Sequence, residues 1–375
     1  MTDIEHTAES LSELRRDPLK AALTSAALRG FHISKQFPDN KALITSLDFD
    51  ISGNKCITTS MDESLRIYDC VQGKREQVLY SKKYGCNLAQ FTSQPGCVAY
   101  ASTKINDTIR YLSYDTNQYI RYFVGHSRQV TSLQRSPVAA TVMSAALDGV
   151  VNVWDLGSVK PASTVTPACL AAGGVLERGI AAAYDPSGMV VAVAVGSAEL
   201  QLYDTREITR GPFKSQSIRD VSGHALVAGI QFTPPLGDQL LLAMTDGSCQ
   251  LLDAFSLQPR AHLIRASAPG SRLNGSRAMG GDALSSMQAA HLGQNVSVTP
   301  DGRSVIAGDD LGSILHWSIS QPASGHLAEQ GTVQLEPSGV WNGSHDGAAG
   351  VCAFHPHIME CVTGSQSLAF WTTPS

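Results

Sequence analysis

The 375 residues carry 28 Lys and Arg against 33 Asp and Glu, a formal charge of −5, and 43% of them are hydrophobic. A chain of this length buries about 75% of its unfolded surface, so it needs no disulfide or metal staple. The mild acidity is the opposite of a general nucleic-acid binder's basic excess, and ordinary apolar content with small net charge excludes a wholly disordered chain.

The first segment, residues 1–27, is an extension predicted to be partly disordered or helical. Leu11, Leu14, Leu19 and Leu23 fall at helical spacing, interrupted by Pro18. Met1 to Arg16 contains acids and no apolar run, unlike a secretory signal peptide. The longest smooth apolar stretch, Met189 to Val195, is far below the ~20 residues that span a bilayer. The 8 Cys show no C-x-x-C pair and are expected to be reduced thiols of strand cores. The N-x-S/T triplets starting at Asn106, Asn274, Asn295 and Asn342 read as chance. A soluble intracellular protein is expected.

From Leu28 onward a repeat dominates. A short β run closing on an aromatic or apolar residue and Asp occurs at Leu65–Asp69, Ile109–Asp115, Val151–Asp155, Leu200–Asp204 and Cys249–Asp253. Degenerate copies follow at Ile314–Ser318 and Leu368–Thr372. Successive ends lie 46, 40, 49, 49, 65 and 54 residues apart. A base period of about 40–45 with insertions is that of a WD40 propeller blade. Each copy is preceded by two further strands and Gly/Pro turns, such as Asp185-Pro186-Ser187-Gly188. Gly-His pairs occur at Gly125-His126 and Gly223-His224. The prediction is an all-β, seven-bladed WD40 β-propeller over residues 28–375. The alternating segment Leu28–Ile33 is expected to supply the last blade's outer strand and close the ring. Ala266 to Ala290, rich in Gly, Ser and Ala, reads as a flexible loop, residues 266–290.

Two constellations imitate chemistry. His126, Ser144 and Asp148 look like a catalytic triad, but with Trp154 they match the structural hydrogen-bond chain of a WD40 blade. Cys352, His355, His357 and Cys361 contain ligand-type residues at a spacing that fits no zinc pattern. There is no G-x-x-x-x-G-K-[ST] loop and no isolated carboxylate pair. No catalytic residue, metal or cofactor is expected, and the chain is read as a non-enzyme.

Several stretches are more particular than a generic propeller: S-K-K-Y-G at Ser81–Gly85, S-T-K-I-N-D-T-I-R-Y-L-S at Ser102–Ser113 and Y-I-R-Y-F-V-G-H at Tyr119–His126. Further ones are I-A-A-A-Y-D-P-S-G at Ile180–Gly188, G-P-F at Gly211–Phe213, L-D-A-F at Leu252–Phe255 and L-A-F-W at Leu368–Trp371. Together, over about Leu28 to Trp371, they resemble the WD-repeat protein 82 family. The resemblance implies a nuclear, non-catalytic scaffold in chromatin and transcription complexes. Implied partners are a Set-type histone lysine methyltransferase, a PNUTS-like scaffold with type-one protein phosphatase, cleavage/polyadenylation factors and the phosphorylated polymerase tail. Sequence-specific nucleic acid and membrane are not expected as partners.

The residues themselves point to a docking surface on the second blade. Ser81–Gly85 should enter its first strand and Thr103–Asp107 should join its second and third, so both loops emerge on one face. Lys82, Lys83, Tyr84, Lys104, Asn106, Asp107 and Arg110 would gather there, suiting an acidic or phosphorylated peptide. A competing function is substrate receptor of a cullin-RING ubiquitin ligase, since Tyr203-Asp204-Thr205-Arg206 resembles the W-D-x-R element that docks on the ligase adaptor.

Overall fold

The computed structural model describes residues 25–167, 180–218, 225–265, 294–320, 332–343 and 345–373. The extension before Ser25, Gly223-His224 and the segment 266–290 lie outside the described residues. Among the described residues twenty-nine strands form seven sheets, one per predicted repeat, antiparallel but for one added strand. Blade 1 runs from Ile44 to Tyr80, blade 2 from Asn87 to Phe123, blade 3 from Val130 to Val165 and blade 4 from Ile180 to Ser217. Blade 5 runs from Val227 to Leu263, blade 6 from Val296 to Trp341 and blade 7 from Val351 to Thr372.

The core is not inside the blades but between them. Side chains alternate along a strand, and here both faces of the middle strands are covered. In blade 5, Leu240, Leu242 and Met244 pack towards blade 4 while Leu241 and Ala243 pack towards blade 6. This is why runs such as Leu240–Leu242 and Val190–Val195 are almost continuously apolar. Among the described residues each seam between neighbouring blades has its own buried cluster, including that between blades 7 and 1.

Innermost strands are stitched as well. Asp48 Oδ2 accepts the Phe91 N–H at 2.8 Å, and Gln134 Oε1 accepts that of Tyr184 at 3.1 Å. Gln231 Oε1 accepts from Val298 at 3.2 Å, and Ser297 Oγ from Phe354 at 3.1 Å. Asp48, Gln134, Gln231, Ser297 and Arg135 line a central channel of 320 Å³. Burial there raises the Asp48 carboxyl to about 6, although Arg135 and the Phe91 N–H work against the shift.

Ring closure follows the expected principle at a shifted position. The closing strand is His32–Phe37, antiparallel to Leu368–Thr372, rather than Leu28–Ile33. Leu28 ends up in a one-turn helix, Ser25–Arg29, where its carbonyl accepts the Trp341 indole N–H at 2.7 Å. Phe31 stacks on Trp341 at 4.9 Å and 5°. Leu28 and Phe31 therefore serve as a plug in the seam between blades 6 and 7, and only the residues after them reach the sheet. A second departure is Val333–Leu335, which adds in parallel to the outer strand of blade 5, Pro259–Leu263, as a fifth strand.

Candidate docking site on the second blade

Four residues of blade 3 set the reference. Trp154 Nε1–H donates to Ser144 Oγ at 2.8 Å, Ser144 meets His126 Nε2 at 2.7 Å, and His126 Nδ1 meets Asp148 Oδ2 at 3.1 Å. Gly125 precedes His126 because a Cβ there would lie 2.8 Å from the Trp154 ring. Burial alone would raise the Asp148 carboxyl, but its bonds to His126 and the Ser127 N–H hold it below the usual range. His126, Ser144 and Trp154 are all buried, so these groups tie strands together and face no open cleft.

The same chain of bonds recurs in blade 7, where sequence reasoning missed it. Trp371 Nε1–H donates to Thr363 Oγ1 at 2.8 Å, Thr363 meets His345 Nε2 at 2.9 Å, and His345 Nδ1 meets Ser367 at 3.2 Å. The signal was a His eighteen residues before a Thr that is itself eight before a Trp, as in blade 3 with Ser for Thr and ten for eight. Replacement of Asp by Ser367 and the missing Gly-His pair hid it.

Blade 2 departs from this pattern. Tyr100 holds the register position that Ser144 holds in blade 3, and Arg110 holds that of Asn152. Tyr100 Oη bonds Ser81 Oγ at 3.1 Å and Tyr119 Oη at 2.8 Å, so phenols span the distance that a histidine spans elsewhere. Arg110 is 3% exposed. Its guanidinium lies 3.4 Å from the Tyr84 ring centre, 5.2 Å from Tyr122 and 5.6 Å from Tyr119, and its Nε–H donates to Ser102 Oγ at 2.9 Å. Arg66 in the matching place of blade 1 has Asp62 at 2.9 Å. Among the described residues Arg110 has no carboxylate partner, and its charge is met by three ring faces.

The two loops named from sequence do pack together. Tyr84 O accepts the N–H groups of Thr103 at 3.0 Å and Lys104 at 2.8 Å. Gly85, at φ +69°, is required because a Cβ would sit 1.9 Å from Thr103 Oγ1. Lys82 and Lys83 are exposed and rest near the rings of Tyr80 at 5.5 Å and Tyr84 at 5.1 Å. Three of the seven expected residues are placed differently from the sequence-based picture. Arg110 is the buried support of the patch rather than part of its surface. Lys104 is paired with Glu63 of blade 1. Asp107 faces blade 3: burial raises its carboxyl, nearby Asp148 raises it further, and His126 and Arg128 oppose. Asn106 is exposed at the loop tip.

The remaining candidates resolve into structure. His355 Nδ1 accepts the N–H groups of His357 and Ile358 at 3.0 and 3.1 Å, leaving Nε2–H to donate to Gly53 O at 2.8 Å. His357 Nε2 donates to Ile51 O at 2.7 Å. The two imidazoles thus clasp the first turn of blade 1, while Cys352 and Cys361 are buried in the neighbouring seam. Arg206 is exposed and forms a two-point pair with Asp204, at 3.0 and 2.7 Å.

Comparison with known proteins places this geometry. The family model for the WD domain, G-beta repeat, matches residues 32–69 and 117–155. WD repeat-containing protein 82 of Drosophila melanogaster is 30% identical over 95% of this chain and 99% of its own. COMPASS component SWD2 of Saccharomyces cerevisiae is 31% identical over 91% of this chain and 94% of its own. Set1 complex component swd2 of Schizosaccharomyces pombe is 29% identical over 88% and 92%.

Proposed function

The chain belongs to the WD repeat-containing protein 82 family, and from that membership we propose that it is a non-catalytic scaffold subunit of a nuclear histone lysine methyltransferase complex. The observation that carries this is near full-length similarity to relatives named as components of COMPASS and of the Set1 complex. The blade 2 patch supports it: Lys82, Lys83 and Tyr84 sit on a rigid base and are free to meet a partner. Charge without a cleft or a reactive pair suits peptide capture rather than turnover. The finer assignments, a PNUTS-like scaffold with type-one phosphatase and cleavage/polyadenylation factors, belong to the same proposal.

Native capture of the tagged chain from nuclear extract, read by mass spectrometry, tests it. Recovery of a Set-domain methyltransferase is expected, and a phosphatase with its scaffold would extend the proposal to termination. Recovery of a cullin adaptor alone, lost on Arg206→Ala, would replace it with the ubiquitin-ligase alternative.

A further inference from the structure

The outer strand of a blade is a sheet edge with unpaired backbone groups unless another segment covers it, and proteins ordinarily blunt such edges. Five of the other six edges here are blunted visibly. Blade 1 exposes Lys74, Arg75 and Glu76. Blade 3 begins with Pro161, and blade 4 offers four polar residues, Lys214–Ser217. Blade 6 has three residues, Gly339–Trp341, and blade 7 places Lys35 on its edge. The sixth, blade 5, is covered by Val333–Leu335, so an outer edge of this propeller does accept a fifth strand.

Among the described residues blade 2 is the exception. Its outer strand, Gln118–Phe123, exposes Tyr119, Ile120 and Tyr122 at 38%, 46% and 44%, and Val124 follows at 66%. Arg121 does not guard it, because its guanidinium is turned to the Leu156 carbonyl of blade 3. A bulge leaves Ile120 opposite no residue, but such a shift also occurs in blades 1, 3 and 5, and pairing is regular from Arg121 to Phe123. The surroundings are basic on an acidic protein: residues 81–124 hold five Lys or Arg and two Asp. Of these cations only Lys104 has a carboxylate partner among the described residues.

We infer that this edge binds an extended acidic segment of a partner protein by strand addition. Apolar side chains of the segment lie on Tyr119, Ile120, Tyr122 and Val124, and its carboxylates face Lys82 and Lys83. Arg110 holds the tyrosine rings in place, so the edge is ordered before binding. The inference deepens the scaffold proposal and rests on it only in requiring a protein partner.

The test uses the full chain in native capture from nuclease-treated nuclear extract, with two edge variants that leave the tyrosine cluster untouched. Ile120→Glu with Val124→Glu should reduce recovery of the parent's partners at least tenfold, while Ile120→Lys with Val124→Lys should reduce it less. Melting temperatures should be unchanged. Hydrogen exchange on the captured parent complex should show protection of amides 121–124. Recovery equal to the parent's by both variants, protection confined to other blades, or loss of all partners on nuclease treatment would each overturn the inference. An equal loss for both signs would overturn the acidic character of the segment. The identity of the recovered proteins separately decides the methyltransferase proposal.

Discussion

Ser144 has a single hydroxyl hydrogen and receives the Trp154 N–H, so with the imidazole neutral that hydrogen goes to His126 Nε2 and Nδ1–H faces Asp148. Each group is satisfied only while the others stay, which makes the indole both core volume and donor. Trp154→Ala should cost about 3–5 kcal/mol, as large core truncations do, and Trp154→Phe less, roughly the bond and the lost volume of one ring. Denaturant unfolding reads both, and a Trp154→Ala chain as stable as the parent would refute the role. Glu360 supplies a pH prediction. Burial alone lifts its carboxyl to about 7, above the ordinary 4.5. The unfolded chain therefore releases this proton first as pH rises, and Glu360 destabilises the fold from about pH 4.5 upward, fully so above 7. Glu360→Gln should raise stability by about 3 kcal/mol at pH 8 and change it little at pH 4.5. Burial shifts His345 and His355 the other way, down to about 4. They stay neutral in the fold, so stability they contribute is lost as pH falls from 6.5 towards 4. Thermal melts of Glu360→Gln against the parent at both pH values separate the two trends.

At the scale of elements, closure depends on a strand from the far end of the chain. His32–Phe37 covers the Leu368–Thr372 edge, and Phe37 meets Tyr68 at 5.0 Å and Phe370 at 5.7 Å, spanning the seam between blades 7 and 1. Removal of residues 1–37 takes away that strand and the Leu28–Phe31 plug together. The truncated chain is expected to lose its cooperative melt and to elute as aggregate in size-exclusion chromatography, whereas a monomer melting like the parent would refute closure by this strand. The strand was legible in the alternating apolar pattern, yet four residues early. Pattern alone cannot distinguish an apolar residue that faces a blade from one captured by a distant indole, and Trp341 takes Leu28 and Phe31. The fifth strand of blade 5 left no mark in the sequence, because Val333–Leu335 is three residues long and its pairing partner lies some seventy residues earlier.

For the whole molecule, stability resides in the seams, and the proposed binding surfaces are loops and edges that the seams hold still. Lys82 and Lys83 are exposed and have no carboxylate partner among the described residues, so Lys82→Glu with Lys83→Glu should leave the melting temperature within about 2 °C of the parent. The same pair should abolish recovery of partners in native capture, and the parent's recovery should fall as salt rises, since exposed charges are screened. Recovery equal to the parent would remove the lysines from the interface. The amino-acid sequence by itself determined the fold class, the count of seven blades, the family and the loops that form the patch. All of these are written in local periods, turn residues and contiguous motifs. Only the tertiary structure decided that Arg110 is buried under three tyrosines, that Lys104 is spent on Glu63, that Asp107 faces blade 3 and that, among the described residues, one outer edge is left unguarded. Those facts depend on which side chains from separate strands and blades meet in space, and linear spacing carries no record of that.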